Sequence, residues 1–80
     1  MSYNMTSPDY MLMLNTHLQR MRQAEYLVWE FYETGPQHQL THTAIAKLNG
    51  YPIGRGEGLT RSIAKQRAAH QFLRSQGYPI

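Results

Sequence analysis

The chain has no cysteine. Disulfides and thiolate metal sites are therefore excluded, and packing alone must hold the fold. Long apolar runs are also missing. The longest, Met11 to Leu14, is far too short to cross a bilayer. The N-terminus shows neither the basic flank nor the apolar stretch of a secretory signal. These features point to an intracellular protein, cytoplasmic or nuclear, without membrane attachment. Acids are scarce in one half only. Residues 1–33 carry Arg20 and Arg22 against Asp9, Glu25, Glu30 and Glu33, a net −2. Residues 34–80 carry Lys47, Arg55, Arg61, Lys65, Arg67 and Arg74 against Glu57 alone, a net +5. A basic C-terminal half suits an anionic partner.

Catalytic constellations are likewise hard to find. The four histidines, His17, His38, His42 and His70, form no two-histidine metal motif with a third ligand nearby. Ser62 has no evident base, and the carboxylates are scattered. Gly54-Arg55-Gly56-Glu57-Gly58 is misspaced for a dinucleotide fingerprint and lacks the lysine-serine/threonine ending of a phosphate loop. No cofactor, no metal and no catalysis are expected.

What is present is the pattern of one small domain. Eighty residues bury only roughly 60% of the surface their unfolded chain exposes, enough for one modest core. Residues 1–7 read as a disordered tail, 8–76 as the domain and 77–80 as a C-terminal tail. Ser7-Pro8-Asp9 reads as a helix start, with serine as the cap. That helix runs to about Arg22, with Met11, Leu14, Leu18 and Met21 on one stripe. Glu25–Thr34 is rich in aromatic and β-branched residues and reads as a strand. Gly35-Pro36-Gln37-His38 is a loop. A second strand covers Leu40–Leu48. Asn49-Gly50 is a strong hairpin turn signal. A short third strand starts at Tyr51 and runs out in the glycines at 54–58, with Pro52 marking an edge. Thr60 caps a second helix to about Ser75, with Ala64, Ala68, Ala69, Phe72 and Leu73 buried and Gly77 and Pro79 ending it. The fold class is α+β, in the order α-β-β-β-α, with two helices packed on one face of a three-stranded antiparallel sheet.

The second helix opens with Arg61 and Lys65, one turn apart, and residues 58–80 contain no acid. Cations at a helix N-terminus oppose the macrodipole. They make sense if phosphates dock at that end, where backbone amides are free.

On these residues the chain resembles the double-stranded RNA-binding domain family. Gly35-Pro36-Gln37-His38 is similar to the family's G-P-x-H loop. Gly56 to Lys65 is similar to its G-x-G-x-S-K-K-x-A-K signature. Leu14-Asn15-Thr16 takes the place of its leucine-asparagine-glutamate turn. The resemblance implies non-catalytic, shape-selective binding of duplex RNA. Asn15 and Thr16 would enter one minor groove, and Pro36, Gln37 and His38 the next. Arg55, Thr60, Arg61, Ser62 and Lys65 would meet the phosphates between them. The chain departs from the family pattern at several positions. Ser62 stands for a lysine, Thr16 for a glutamate and His42 for a phenylalanine. Ala44 and Ala46 are smaller than the usual β-branched residues, and Phe72 replaces a common alanine. Two other readings stand beside this one. One is a degenerate copy serving as a dimerisation or adaptor module through a sheet face bearing Trp29, Phe31 and Ile45. The other is a piece of a nuclease, which would bind RNA in the same way.

Overall fold

The computed structural model describes residues 8–80. Helix α1 spans Tyr10–Arg20, and strands β1 (Leu27–Thr34), β2 (Thr41–Leu48) and β3 (Tyr51–Gly58) follow. Helix α2 spans Arg61–Ser75. The sheet is antiparallel in the order β1-β2-β3. The α-β-β-β-α order and the two-layer arrangement are those read from the sequence.

Helix α1 starts two residues later than serine capping would give. Asp9 is the cap, its side chain accepting from the Leu12 amide at 3.0 Å. Asp9 prevails because Gln66 on α2 also donates to the same oxygen, at 3.3 Å. Pro8 therefore precedes the cap, and Ser7 lies outside the described residues. The helix stops at Arg20, short of Arg22. Arg22 turns left-handed (φ 58°), and the Gln23 amide bonds back to the Leu18 carbonyl at 2.8 Å. Met21, expected on the buried stripe, is the C-cap and is exposed. Helix α2 ends the same way at Gly77 (φ 94°), with the Tyr78 amide on the Leu73 carbonyl. The residues beyond α2 fold back on the domain: Tyr78 packs on the core, and its hydroxyl lies 2.9 Å from His17 Nδ1.

Strand β3 corrects the sequence reading, since it keeps its full length through the glycine run. Gly54, Gly56 and Gly58 are buried on the side facing α2. A Cβ at Gly54 would sit 2.5 Å from the Ala68 carbonyl oxygen, and one at Gly56 would run into the backbone of Ala64 and Ala68. The glycines and the two alanines let helix backbone lie directly on strand backbone. Pro52 is on an edge strand, beside a bulge opposite Ala46 and Lys47.

The core is built on Leu14 and Leu18 of α1 and Ala69, Phe72 and Leu73 of α2, with Leu27, Trp29, Leu48 and Ile53 of the sheet against it. Trp29 pairs with Ala46 and Phe31 with Ala44, and both alanines are fully buried beneath the helices. Trp29 and Phe31 therefore face the helix layer, whereas Ile45 faces the other side with Val28, Glu30 and Tyr32. The expected grouping of Trp29, Phe31 and Ile45 on one outer face does not form. Alternation along a strand separates 29 and 31 from the partners of 45.

Substituting Gly56 by alanine forces β3 away from α2. It is expected to cost about 3 kcal/mol, the upper part of the range for overpacking. That corresponds to a fall of more than about 10 °C in the thermal midpoint, measurable by circular dichroism. An unchanged midpoint would show that the helix is not seated on this strand.

Candidate functional site

The sheet's strand directions bring two expected regions to one end of the molecule. Thr34 pairs with Thr41 and His42 with Gly58. The Gly35–Leu40 loop therefore leaves the same end of the sheet from which α2 begins. Within that loop Gln37–Gln39 form a single 3-10 turn, closed by the Gln39 amide on the Pro36 carbonyl at 2.9 Å. Pro36, Gln37 and His38 are exposed.

At the start of α2, Thr60 caps the helix, its hydroxyl accepting from the Ile63 amide at 3.1 Å. Arg61, Ser62 and Lys65 follow, and with Met11 and Phe31 they line one shallow depression of about 410 Å³. The Arg61 guanidinium lies over the Phe31 ring, 4.6 Å from its centroid. Lys65 Nζ lies 5.3 Å from the Trp29 centroid. The two rings stack on each other, with centroids 6.3 Å apart and planes at 16°. Such contacts are worth about 0.5–1 kcal/mol at exposed sites and offset the repulsion between these cations and the helix dipole. The aromatic shelf under the cations was not visible in the sequence, because both rows of β1 are largely apolar and neither parity stands out.

Helix α1 is tied to this end of α2 by Gln66. Its side-chain carbonyl accepts from the Met11 amide at 3.1 Å while its amide nitrogen donates to Asp9. Asn15 and Thr16 are half-buried on α1. Leu12, 62% exposed, precedes Thr16 by one turn and shares its helix face.

Arg55 does not join the cluster. It alternates with the inward glycines, so it lies on the opposite face of the sheet and pairs with Glu57 at 3.1 Å. Its main-chain amide donates to Gln71 of α2 at 2.7 Å. Lys47 lies on that outer face too. It donates to Glu30 at 2.9 Å, which holds the Glu30 carboxyl below its ordinary value. Among the described residues no three His, Cys, Asp or Glu side chains lie close enough to hold a metal ion, and no helix is long and apolar enough to cross a membrane.

A family model described as the double-stranded RNA binding motif matches residues 10–76. The chain is also similar to proteins named Ribonuclease 3. The one from Corynebacterium glutamicum is 52% identical over 40 residues, half of this chain and 16% of that protein. The one from Streptomyces coelicolor is 45% identical over 51 residues, 64% of this chain and 17% of that protein. The chain thus spans about a sixth of the length of these relatives.

The Asp9–Gln66 clamp gives a pH dependence. The Leu12 amide, and after it Gln66, hold the Asp9 carboxyl below its ordinary value. A lowered folded value means that the contribution is complete above the unfolded value, about 3.9. It is lost as pH falls through the lower folded one. Thermal midpoints measured from pH 6 down to pH 2 should fall partly through this group. Asp9→Asn should flatten that part of the profile and lower the midpoint by a few degrees at neutral pH. Identical profiles would mean that the charge on Asp9 carries no stability.

Proposed function

The chain belongs to the double-stranded RNA binding motif family, and we propose that it binds duplex RNA by shape without catalysing a reaction. The observation that carries the reading is the joint placement of Arg61, Ser62 and Lys65 at the free amides of the α2 N-terminus. Two cations and a hydroxyl there suit phosphate oxygens. The exposed Pro36–His38 loop leaves the sheet at the same end, in reach of a second stretch of backbone. A-form RNA offers such a reader a wide, shallow minor groove lined with 2′-hydroxyls, and domains of this kind span about 16 base pairs. Asn15 and Thr16 contact one minor groove from α1. Pro36, Gln37 and His38 contact the next, and Arg61, Ser62 and Lys65 meet the phosphates between them. Thr60 contributes by fixing the helix start. Arg55 is left out of the contact surface, because its side chain faces the other side of the sheet.

The site groups are cations, hydroxyls, two amides and one imidazole, a set that binds anions and sugars. The matched family is described by binding alone, and the named nucleases are about six times longer than the matching segment. Self-association through Trp29 loses its physical basis, since that ring packs on the helix side.

Duplex RNA should outcompete duplex DNA of equal length with little dependence on sequence, read by competition titration at fixed salt. Equal affinity would reduce the reading to general polyanion binding. Lys65→Ala should weaken binding to every duplex alike and lower the slope of log K against log salt by about 0.9.

Ser62→Lys moves the same slope the other way. A serine hydroxyl hydrogen-bonds a phosphate but releases no counterion. The lysine should tighten duplex RNA binding and steepen the slope by roughly 0.7–0.9. It should also lower the thermal midpoint slightly, because a third cation joins the positive end of the dipole. Unchanged affinity at low salt would mean that this helix end does not face phosphate.

A further inference from the structure

Helix α2 carries cations on two sides. At 3.6 residues per turn, Arg67 stands about 200° round the helix from Lys65. Arg61 and Lys65 overhang β1, whereas Arg67 and Gln71 are fixed at the opposite edge of the sheet, on β3. Arg74, two turns after Arg67, shares its side of the helix. With His70, Gln71 and Ser75 these two arginines line a shallow groove of about 410 Å³. The groove mainly offers donors. The Gln71 side-chain carbonyl is taken by the Arg55 amide at 2.7 Å, which leaves its amide nitrogen to donate. The Arg67 guanidinium gives one N–H to the Glu57 carbonyl at 2.8 Å and keeps the rest. Arg74 is exposed and makes no ion pair among the described residues. Such a set suits phosphate oxygens, which an arginine fork binds two at a time. A protein partner would call for an apolar centre, and the five lining residues are all polar. Nucleic-acid interfaces are polar and positively charged.

We infer that the groove bounded by Arg67, Gln71 and Arg74 docks the phosphate backbone of a second RNA duplex, so that one domain bridges two duplexes. The duplex held by Arg61 and Lys65 cannot supply these phosphates, because it lies against the other side of α2. Arg67 and Arg74 stand about 10 Å apart along the helix axis. They meet phosphates of one strand, with the Gln71 amide between them. His70, half-buried and stacked on Tyr10 with ring centroids 4.4 Å apart, walls the groove on the side of α1. The inference rests on the duplex-binding reading above and adds a second contact, made to phosphates alone.

The test is sedimentation velocity of dye-labelled protein with excess RNA duplex of about 16 base pairs, long enough for one site. Protein and RNA are read at separate wavelengths over a series of salt concentrations. A complex of one protein with one duplex should form first, and one of one protein with two duplexes at higher RNA concentration. Arg74→Ala should leave the first step unchanged and weaken the second, lowering the slope of log K against log salt for that step by about 0.9. Arg67 is kept, because it also closes the β3 edge. A one-to-one complex at saturating RNA and the lowest salt would overturn the second site and leave duplex binding standing. A second step of unaltered affinity and slope in Arg74→Ala would overturn it as well. So would an oligo-aspartate peptide that binds where no second duplex does and is lost in Arg74→Ala, since the groove would then belong to an acidic protein segment. Failure of any duplex to bind would defeat the duplex reading itself, and this inference with it.

Discussion

The close seating of α2 on β3 governs the rest of the molecule. Three alternate residues of β3 are glycines, and the helix presents Ala64 and Ala68 to them. The two backbones therefore approach with almost nothing between them. This geometry has a cost, since glycines in a strand lose chain entropy on folding and alanines bury little apolar surface. Larger side chains must supply what the contact lacks. Leu14, Leu18, Phe72 and Leu73 do so, and two of them belong to α1. Helix α1 packs mainly along α2, so the first helix completes the core as well as carrying expected contact residues.

The same closeness settles the free edge of β3. Gln71 accepts the outward amide of Arg55, and Arg67 donates to the Glu57 carbonyl at 2.8 Å. Pro52, lacking an amide hydrogen, removes another donor from that edge. An exposed edge is a template for pairing with another chain, and here the helix blunts it with its own side chains. Arg67 was counted in the sequence as part of a basic surface. In the structure one of its donors is occupied by the strand.

What was legible in the sequence was local. The Thr60 cap, the end of α2 near Ser75 and the Asn49-Gly50 turn each depend on residues a few positions apart. Both turn residues do take left-handed conformations, φ 53° and 88°. What was not legible depended on distant partners. Strand β3 reads as running out in Gly54 to Gly58 because nothing nearby shows that a helix of small residues will cover these glycines. Once that stretch was misread, the parity of Arg55 was lost, and with it the sheet face to which it belongs. The choice of Asp9 over Ser7 as cap rests on Gln66, 57 positions along the chain. The two rows of β1 were indistinguishable until their cross-strand partners, Ala44 and Ala46, marked which row lies under the helices.

Helix α2 can be divided into rows four residues apart, each with its own task. Ala64, Ala68 and Phe72 lie on the sheet. Arg67 and Gln71 close the β3 edge. Gln66 holds the start of α1, with Ser62 one turn before it at the mouth of the same seam. Arg61 and Lys65 overhang the aromatic rings of β1. A helix with 3.6 residues per turn keeps such rows distinct, so a change in one can leave the others in place. Among the described residues the partners of the cationic row are aromatic rings, which leave its donors unpaired: a π face attracts a cation but accepts no conventional hydrogen bond along the N–H direction. Packing therefore fixes where these two side chains stand while their hydrogen-bonding capacity stays open. That combination, a charge held in place but unneutralised, separates Arg61 and Lys65 from Lys47 and Arg55, which are already engaged with Glu30 and Glu57.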